Sequence, residues 1–380
     1  MAYAQHPEQT GIQLAMTDPD RLIAASAGFT TPLAVVDGIT RERNLARMQK
    51  LAGDHGLRLR PHAKTHKSTR VAARQLAMGA VGLTVATLHE AEVFSTAGAD
   101  DILVAHPPVG AVKVTRIAAL ADRARRLAVA VDSIEAVAGL PASIEVLWEV
   151  DTGLHRIGTA PGQPTANAVR QLVDRIGPER FRGLITHGGH SYRSADDSAL
   201  LQASSEEAHG LLESKELLEA SGIAVRELSI GSTPTTRHIE VAGGITEMRP
   251  GTYVYGDANQ VQLGSQQLED CALAVIATVV SKPEATRVVV DSGSKILSAD
   301  LRVPGVTGFG IVLGHREVTV ERLSEEHAVL VSEAPIELAI GDRVAIVPTH
   351  ACTTVNLNSA VLVVTDGGAE WETVDARGWQ

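Results

Sequence analysis

A lysine flanked by two histidines and a proline lies in residues 60–67, which read Arg-Pro-His-Ala-Lys-Thr-His-Lys. The segment follows a short apolar run ending at Leu59 and precedes a helical pattern that begins near Ser68. An amine held at the end of a rigid strand can attack a carbonyl and form a Schiff base. The alternative is a solvated strand-to-helix turn, which is what most clusters of lysine and histidine are. Lys64 is therefore the first candidate catalytic residue.

A second candidate segment, Gly231-Ser232-Thr233-Pro234-Thr235, combines small residues with hydroxyls. Small residues let backbone N–H groups approach an anion, and the hydroxyls add further donors. A helix that began at Thr235 or Thr236 would direct its positive end to the same point. The chemistry is that of a phosphate cradle, although an ordinary helix N-cap also uses serine or threonine before proline.

A third candidate segment, His350-Ala351-Cys352, follows Pro348. In an extended segment, residues i and i+2 point to the same side, so an imidazole and a thiolate can bind one soft metal ion. Two ligands suit a metal site that keeps positions open for water or substrate. The alternative is a buried free cysteine beside a histidine in a turn.

Strand-like and helical segments alternate through the first two thirds of the chain. This pattern predicts right-handed βαβ units and a parallel sheet, and eight such strands fit a closed (β/α)8 barrel. An open doubly wound sheet is the alternative, but no Gly-x-Gly-x-x-Gly follows the first strand. The eight predicted strands are 57–61, 82–87, 101–106, 126–132, 144–151, 181–188, 225–232 and 247–253. The predicted helices are 40–55, 68–78, 89–97, 110–123, 133–139, 164–176 and 196–221.

Polar and titratable residues accumulate at the carboxyl ends of these strands, which is the end where barrels of this kind carry their chemistry. A single polar strand end would carry no information, but the accumulation indicates a functional rim. The residues concerned are Lys64, Thr87, His89, His106, Asp132, Asp151, Arg156, His187, His190, Tyr192, Gly231, Ser232, Thr233, Gly251, Tyr253 and Asp257.

The pattern changes after about residue 265 to short β-branched segments separated by Gly, Pro, Asp and Asn. These segments predict an antiparallel β domain. We therefore divide the chain into a polar lead-in over residues 1–30, a barrel over 31–265 and a β domain over 266–380. The early strand Leu33–Asp37 is compatible with either domain.

Composition narrows the functional class. Hydrophobic residues make up 44% of the 380-residue chain, which is enough for a large core. The formal charge of −11 and the lack of a basic stripe argue against nucleic-acid binding. No apolar run approaches the ~18 residues of a membrane span, and the N-terminus lacks a signal pattern. Two distant cysteines, Cys271 and Cys352, favour a reducing cytoplasmic setting.

Taken together, three motifs resemble the D-serine dehydratase/D-threonine aldolase family. They are Pro61-His62-Ala63-Lys64-Thr65-His66-Lys67, Gly231-Ser232-Thr233-Pro234 and Pro348-Thr349-His350-Ala351-Cys352. The resemblance extends from about Thr31 to the C-terminus. It implies a pyridoxal-phosphate enzyme of the alanine-racemase-like fold, a barrel followed by a β domain. It also implies a homodimer, in which each barrel face meets the β domain of the second subunit.

The resemblance also implies roles for individual residues. Lys64 matches the lysine that holds the cofactor, and Arg156 matches an arginine near the pyridine nitrogen. His350 and Cys352 match the metal pair. The segment His187–Tyr192 matches less closely and supplies His187 and His190 as candidate acid/base residues and Tyr192 as a cofactor contact. The residues that match the phosphate-binding contacts are Gly231, Ser232, Thr233, Gly251 and Tyr253.

Two reactions are compatible with these motifs. A dehydratase would turn a β-hydroxy-D-amino acid into a 2-oxo acid and ammonia, whereas an aldolase would release glycine and an aldehyde. Aldolases of the family typically carry His-x-Asp, so cysteine at 352 and a soft ion such as Zn²⁺ favour the dehydratase. Mn²⁺ or Mg²⁺ would suit an aldolase. A racemase on this fold needs a tyrosine from the β domain, but no tyrosine follows Tyr255. A non-enzymatic pyridoxal-phosphate carrier is a further alternative.

Overall fold

The computed structural model describes residues 18–300 and 302–378, which form two large sheets. The first contains eight parallel strands and the second contains nine, most of which are antiparallel. The predicted α/β class, with a (β/α)8-type barrel and a second β domain, is confirmed. No helix within these described ranges is long and apolar enough to cross a membrane.

The barrel strands all fall within the predicted segments. They are β2 (Arg58–Leu59), β3 (Leu83–Val85), β4 (Asp101–Val104), β5 (Arg126–Val131), β6 (Glu145–Glu149), β7 (Phe181–Ile185), β8 (Glu227–Ile230) and β9 (Glu247–Met248). The helices that cover them are α2 (Gly38–Asp54), α3 (Thr69–Ala77), α4 (Leu88–Thr96), α5 (Ala111–Ala121), α6 (Gln163–Ile176) and α7 (Asp197–Ala220). The predicted helix over 133–139 is only a short 3-10 turn, Glu135–Val137.

The barrel closes beside the lysine motif. Strand β2 pairs with β9, and the chain just after β2 forms a parallel bridge from His62 to Thr84 of β3. The Pro61 carbonyl accepts a hydrogen bond from the Thr84 amide at 2.9 Å, and the Ala63 amide donates one to the Thr84 carbonyl at 2.8 Å. Pro61 has no N–H, so its carbonyl alone takes part in this pairing. Lys64 therefore follows directly from the closing seam of the barrel.

The barrel interior is charged at the amino end of the strands and apolar in the middle. Buried Arg60 donates to Asp101 at 2.6 Å and to Glu247 at 2.9 Å, so its charge is paired. Above these groups lies an apolar layer made of Leu103, Ala128, Ala130, Leu147 and Ile185. With the other end and the middle filled, the carboxyl end of the strands is left for a ligand site.

The second sheet contains all the strands after residue 272 together with β1 (Leu33–Asp37). Strand β1 pairs antiparallel with β10 and parallel with β16, so the early strand belongs to the β domain sheet. The other strands are β10 (Leu273–Glu284), β11 (Arg287–Val290), β12 (Gly310–Val312), β13 (Thr319–Leu323), β14 (Ala328–Val331), β15 (Arg343–Pro348), β16 (Ala360–Thr365) and β17 (Gly368–Thr373). The short helices near this sheet are α8 (Ala258–Gln262), α9 (Ser294–Leu297) and α10 (Ala351–Leu357).

The polar lead-in predicted over residues 1–30 contains a helix. Residues 1–17 lie outside the described residues, but α1 (Pro19–Ala25) is regular. Asp18 caps it by accepting the Asp20 amide at 3.0 Å, and proline occupies the first turn. Leu22 of α1 is fully buried in the cluster around β1 and β10. A single buried leucine in a polar segment is a weak signal, which explains why periodicity missed this helix.

Candidate active site

A cavity of about 650 Å³ opens at the carboxyl end of the barrel strands. Its volume falls in the range of pockets that hold a cofactor or a drug-sized ligand. The ionisable groups that matter most for its chemistry are His62, Lys64, Glu149, Arg156, His187 and Arg249. The predicted rim is therefore a real concavity, and the structure brings Lys64, Arg156, His187 and Gly231 together in its lining.

Lys64 is half-buried in a turn whose neighbours are fixed by their own contacts. Thr65 and His66 are fully buried. Lys67 adopts a left-handed conformation with φ of 50° and forms an ion pair with Glu90 at 2.6 Å. Burial, followed by the charge of Lys64, lowers the pKa of His62 well below its usual value. His62 is thus a neutral imidazole beside the amine.

Arg249 and Glu149, which no sequence motif indicated, are buried residues that line the cavity. Buried Arg249 donates to the Ser229 hydroxyl at 2.6 Å and to the Thr186 carbonyl at 2.5 Å. Burial raises the pKa of Glu149 to about 7, and Arg249 opposes that rise. The signal available in the sequence was a carboxylate that ends the apolar run Val146-Leu147-Trp148.

His187 has one defined tautomer. Its Nδ1 lies 2.6 Å from the Gly231 carbonyl oxygen, which can only accept, so Nδ1 carries the proton. Burial and the charge of Lys64 lower the pKa of His187 well below its usual value. The ring is therefore neutral, and its Nε2 lone pair is available to accept a proton or a hydrogen bond.

The Gly231–Thr233 segment has the properties of an anion-binding site. A Cβ at Gly231 would lie 2.9 Å from the Arg249 Cβ, so only glycine allows this close approach of two strand ends. Ser232, Thr233, Gly251 and Thr252 are buried residues, and their backbone amides donate to no acceptor within residues 18–300 and 302–378. Buried amides are rarely left without a partner. Four of them at adjoining strand ends fit a phosphate group.

Helix α10 begins one residue after His350, so the prediction of an extended His-x-Cys segment is wrong. His350 is the N-cap, Cys352 lies in the first turn, and the Ala351 amide donates to Asp257 at 2.9 Å. That carboxylate satisfies an amide that a helix start would otherwise leave unpaired, which favours helix over strand. The two side chains nevertheless lie within hydrogen-bonding contact of each other.

Cys352 contacts the lysine motif although it is distant in sequence. Its Sγ lies 3.1 Å from the Thr65 Oγ1, directly beside Lys64. Burial opposes ionisation, but the charge and hydrogen bond of His350 prevail and lower the pKa of Cys352 to about 7. His350 Nδ1 is held by Asp300 Oδ2 at 2.6 Å, which leaves Nε2 for another partner.

The donor set at His350 and Cys352 fits a soft metal ion in part. A thiolate and an imidazole are ligands that zinc prefers, and a carboxylate on the second ring nitrogen is the usual outer partner of a ligating histidine. Among the described residues, no third histidine, cysteine or acidic side chain completes a metal-binding group. The pair therefore fits an open site rather than a closed structural one.

Three predicted site residues lie elsewhere, and their assigned roles remain predictions. The His190 ring packs against Gly153, with Nε2 3.5 Å from Glu206, and does not line the cavity. The Tyr192 hydroxyl accepts from Gln260 at 3.1 Å. The Tyr253 hydroxyl accepts from Gln75 at 2.9 Å, so only the backbone of Tyr253 faces the Gly231–Thr233 segment.

Comparison with known families covers almost the whole chain. Residues 36–259 match the family described as "Alanine racemase, N-terminal domain", and residues 272–364 match the "Putative serine dehydratase domain". The chain is 36% identical to a D-threo-3-hydroxyaspartate dehydratase from Delftia sp. over 92% of its length and 98% of that protein. The solved structure of that dehydratase superposes with a TM-score of 0.84 at 34% identity, covering 92% of this chain and 98% of that one.

Two further relatives are named for different enzymatic activities. A D-threonine aldolase from Arthrobacter sp. is 32% identical over 98% of this chain and 96% of its own length. A D-serine dehydratase from Dictyostelium discoideum is 32% identical over 88% of this chain and 93% of its own length. These matches agree with a barrel whose lysine motif contacts Cys352 of the β domain. The chain therefore belongs to the D-serine dehydratase/D-threonine aldolase family of the alanine-racemase-like fold.

Proposed function

We propose that this protein is a pyridoxal-phosphate-dependent, zinc-assisted dehydratase that converts β-hydroxy-D-amino acids to 2-oxo acids and ammonia. The contact between Cys352 and Thr65 carries the proposal most directly. It joins a candidate metal ligand of the β domain to the residue that follows Lys64. A protein that only carries the cofactor would not require a metal-binding thiolate next to the amine.

The cavity suits the cofactor in both charge and volume. Lys64 presents an amine, and the unpaired amides at Ser232, Thr233, Gly251 and Thr252 present donors for a phosphate. When bound, pyridoxal phosphate supplies an aldehyde that condenses with amines and a ring that withdraws electrons from the substrate Cα. Arg249, which is fixed by Ser229 and Thr186, and Arg156 are the two cations that can orient an anionic or aromatic ligand in the lining.

Lys64 and His187 perform the proton transfers in this proposal. Lys64 first holds the cofactor and then, as a free amine, takes the proton from the substrate Cα. His187 is neutral, and its Nδ1 donates to Gly231, so Nε2 is the second group that can accept or return a proton. Loss of the Cα proton and the β-hydroxyl as water leaves an enamine, whose hydrolysis gives the 2-oxo acid and ammonia.

His350 and Cys352 would hold the metal ion through an imidazole Nε2 and a thiolate. When bound, zinc supplies a Lewis acid that weakens the bond to a hydroxyl leaving group. The low pKa of Cys352, about 7, supports the thiolate form that a metal needs. A solved relative, a D-threo-3-hydroxyaspartate dehydratase mutant with cysteine replaced by alanine, is described as the metal-free form. That description concerns the relative, and it supports a metal role for a cysteine in this family.

Aldol cleavage is the second candidate, because the Arthrobacter relative is a D-threonine aldolase with near-complete coverage. Racemisation on this fold would require a tyrosine opposite the lysine. No tyrosine is among the residues that line the cavity within the described chain, and the hydroxyls of Tyr192 and Tyr253 are bonded to glutamines. Cys352 contacts Thr65, the residue that follows Lys64, through its Sγ.

Incubation with D-threonine followed by product analysis tests the proposal. A dehydratase gives 2-oxobutanoate and ammonia in equal amounts. Glycine and acetaldehyde would assign the aldolase reaction and leave the fold, cofactor and Lys64 assignments intact. L-threonine is the matched control, because it has the same functional groups with the opposite configuration at Cα. Formation of racemised threonine alone would overturn both lyase assignments.

A further inference from the structure

The lysine motif contains a second lysine, Lys67, which has no assigned role in the proposed reaction. Lys64 lines the cavity, but Lys67 is not among the lining residues of the part of the chain that the structure describes. Its side chain is only 12% exposed. Burial of an ammonium group is unfavourable unless the group is paired and hydrogen-bonded, so the partners of Lys67 indicate what it does.

The amide, the carbonyl and the ammonium group of Lys67 all have partners. The amide donates to the Ala63 carbonyl at 2.8 Å, which closes a turn over residues 63–67. The Lys67 carbonyl accepts a hydrogen bond from the Ala376 amide at 3.0 Å. The ammonium group donates to Glu90 Oε1 at 2.6 Å and to the Ala376 carbonyl at 3.3 Å. Lys67 therefore joins this turn to two other segments of the chain.

Glu90 connects Lys67 to the wall of the cavity. It lies in the first turn of α4 and is buried. Its Oε2 accepts a hydrogen bond at 2.6 Å from the amide of Ala86, which directly follows β3 and lines the cavity. Because one carboxylate oxygen contacts Lys67 and the other contacts Ala86, Glu90 fixes the turn that contains Lys64 relative to the end of a barrel strand.

The segment that follows β17 connects Lys67 to the β domain. Val374 and Ala376 of this segment are buried in the same hydrophobic cluster as the barrel core. The Val374 amide donates at 3.0 Å to the carbonyl of Ser359, which lies just after the helix α10 that carries Cys352. The contacts between Lys67 and Ala376 therefore tie the turn over residues 63–67 to the part of the β domain that bears the candidate metal pair.

The backbone of Lys67 shows that this turn is held from outside. Its φ of 50° lies in the left-handed region, which residues other than glycine adopt where surrounding contacts compensate for the strain. The contacts with Glu90 and Ala376 supply that compensation. The position of Lys64 thus depends on a neighbour three residues later in the chain.

We propose that Lys67 is a positioning residue for Lys64, which it fixes relative to the cavity wall and to the His350–Cys352 pair. This inference rests on the proposed function, in which Lys64 must reach the substrate Cα after it releases the cofactor. A misplaced base slows proton transfer but leaves the groups that bind the substrate in place. Loss of Lys67 should therefore lower kcat much more than it changes KM.

The first test measures the consumption of D-threonine by the holoenzyme at saturating pyridoxal phosphate and zinc. Wild type is compared with Lys67→Met, Glu90→Gln and the double variant, because methionine keeps the unbranched stem and glutamine keeps the shape of the carboxylate. Lys282→Met is the matched control. Lys282 also donates to two carbonyls, those of Ile336 and Leu338, but these residues belong to the β domain and do not line the cavity.

Lys67→Met is expected to lower kcat about 10- to 100-fold, with KM within about twofold of wild type. Glu90→Gln should also lower kcat, and the double variant should lose no more than Lys67→Met alone, because both changes break one connection. Lys282→Met should leave both constants within about twofold. An unchanged kcat, a loss carried by KM, losses that multiply in the double variant, or an equal loss in Lys282→Met would overturn the positioning role.

Hydrogen exchange of the apoprotein tests the same inference without the proposed function. Mass spectrometry of peptides that cover residues 60–70 should show protection factors at least about tenfold lower in Lys67→Met, as expected for loss of a charge-assisted hydrogen bond, with peptides from β10 unchanged. Equal protection in wild type and variant would overturn the inference. If wild type consumes no D-threonine, the proposed function fails and this comparison alone decides the role of Lys67. If Lys67→Met does not fold, Glu90→Gln takes its place in both measurements.

Discussion

Replacing Glu149 by glutamine should change how the stability of the protein depends on pH. Glu149 is nearly fully buried under the cavity, and burial raises its pKa from 4.5 to about 7. The folded state therefore keeps a proton that the unfolded state loses. The contribution of Glu149 to the free energy of unfolding is greatest below pH 4.5 and decreases as the pH rises to about 7. At about 1.4 kcal/mol per pH unit, the total decrease is about 3 kcal/mol.

Glu149→Gln keeps the size of the side chain and removes its titration. The free energy of unfolding of wild type minus that of the variant should therefore fall by about 3 kcal/mol between pH 4.5 and 7.5. Urea unfolding of the apoprotein, followed by tryptophan fluorescence, measures this difference, because the neighbouring Trp148 is buried in the same strand. Glu333→Gln, at an exposed position, is the control for loss of a carboxyl group and should give a nearly constant difference.

Parallel stability curves for wild type and Glu149→Gln would refute this reasoning. They would mean that Glu149 is ionised throughout and forms a permanent ion pair with Arg249. An infrared measurement gives an independent check, because the carbonyl stretch of a protonated carboxyl group should disappear near pH 7 in wild type and be absent from the variant.

Three further predictions concern the cofactor, the metal and the strand ends. Lys64→Ala should abolish the visible absorbance of bound cofactor and reduce turnover at least about 1000-fold; a retained absorbance band would contradict the role of Lys64. Asp300→Asn should weaken zinc binding about 10- to 100-fold, because it removes the carboxylate that contacts His350 Nδ1. Competition with a chromophoric chelator measures the affinity, and equal zinc affinities for wild type and variant would show that Asp300 does not support His350 as a metal ligand. Gly231→Ala should lower the free energy of unfolding by about 1 to 3 kcal/mol, because its Cβ would press on Arg249. Gly53→Ala, in an open position of α2, is the matched control and should stabilise by about 0.5 to 1 kcal/mol.

The barrel could be predicted from the sequence because its signals are local. Each strand is a short apolar run followed by a helix with regular periodicity, and a parallel order then follows from the handedness of the crossovers. The position of β1 could not be predicted in the same way. Leu33–Asp37 is apolar throughout and precedes the barrel, but it pairs with strands more than 230 residues later in the chain. Such pairing depends on contacts that no local pattern encodes.

The candidate site was predictable where a motif carried the chemistry. Lys64, Gly231, Arg156 and His187 stood at predicted strand ends and line one cavity. Arg249 and Glu149 were missed because a charged residue at the end of a strand usually reaches solvent, whereas both are buried here and line the cavity. The His350–Cys352 conformation was mispredicted because Asp257, far away in sequence, caps the helix that begins between them.

Zinc-dependent turnover of D-threonine tests most directly whether Lys64 and the His350–Cys352 pair act at one centre. Wild type and Cys352→Ala are treated with chelator and then titrated with zinc, and ammonia release and cofactor absorbance are followed together. We expect one equivalent of zinc per chain to restore ammonia release in wild type only, with the cofactor absorbance retained in both proteins. Ammonia release that survives chelation, or that zinc restores equally in Cys352→Ala, would contradict the account.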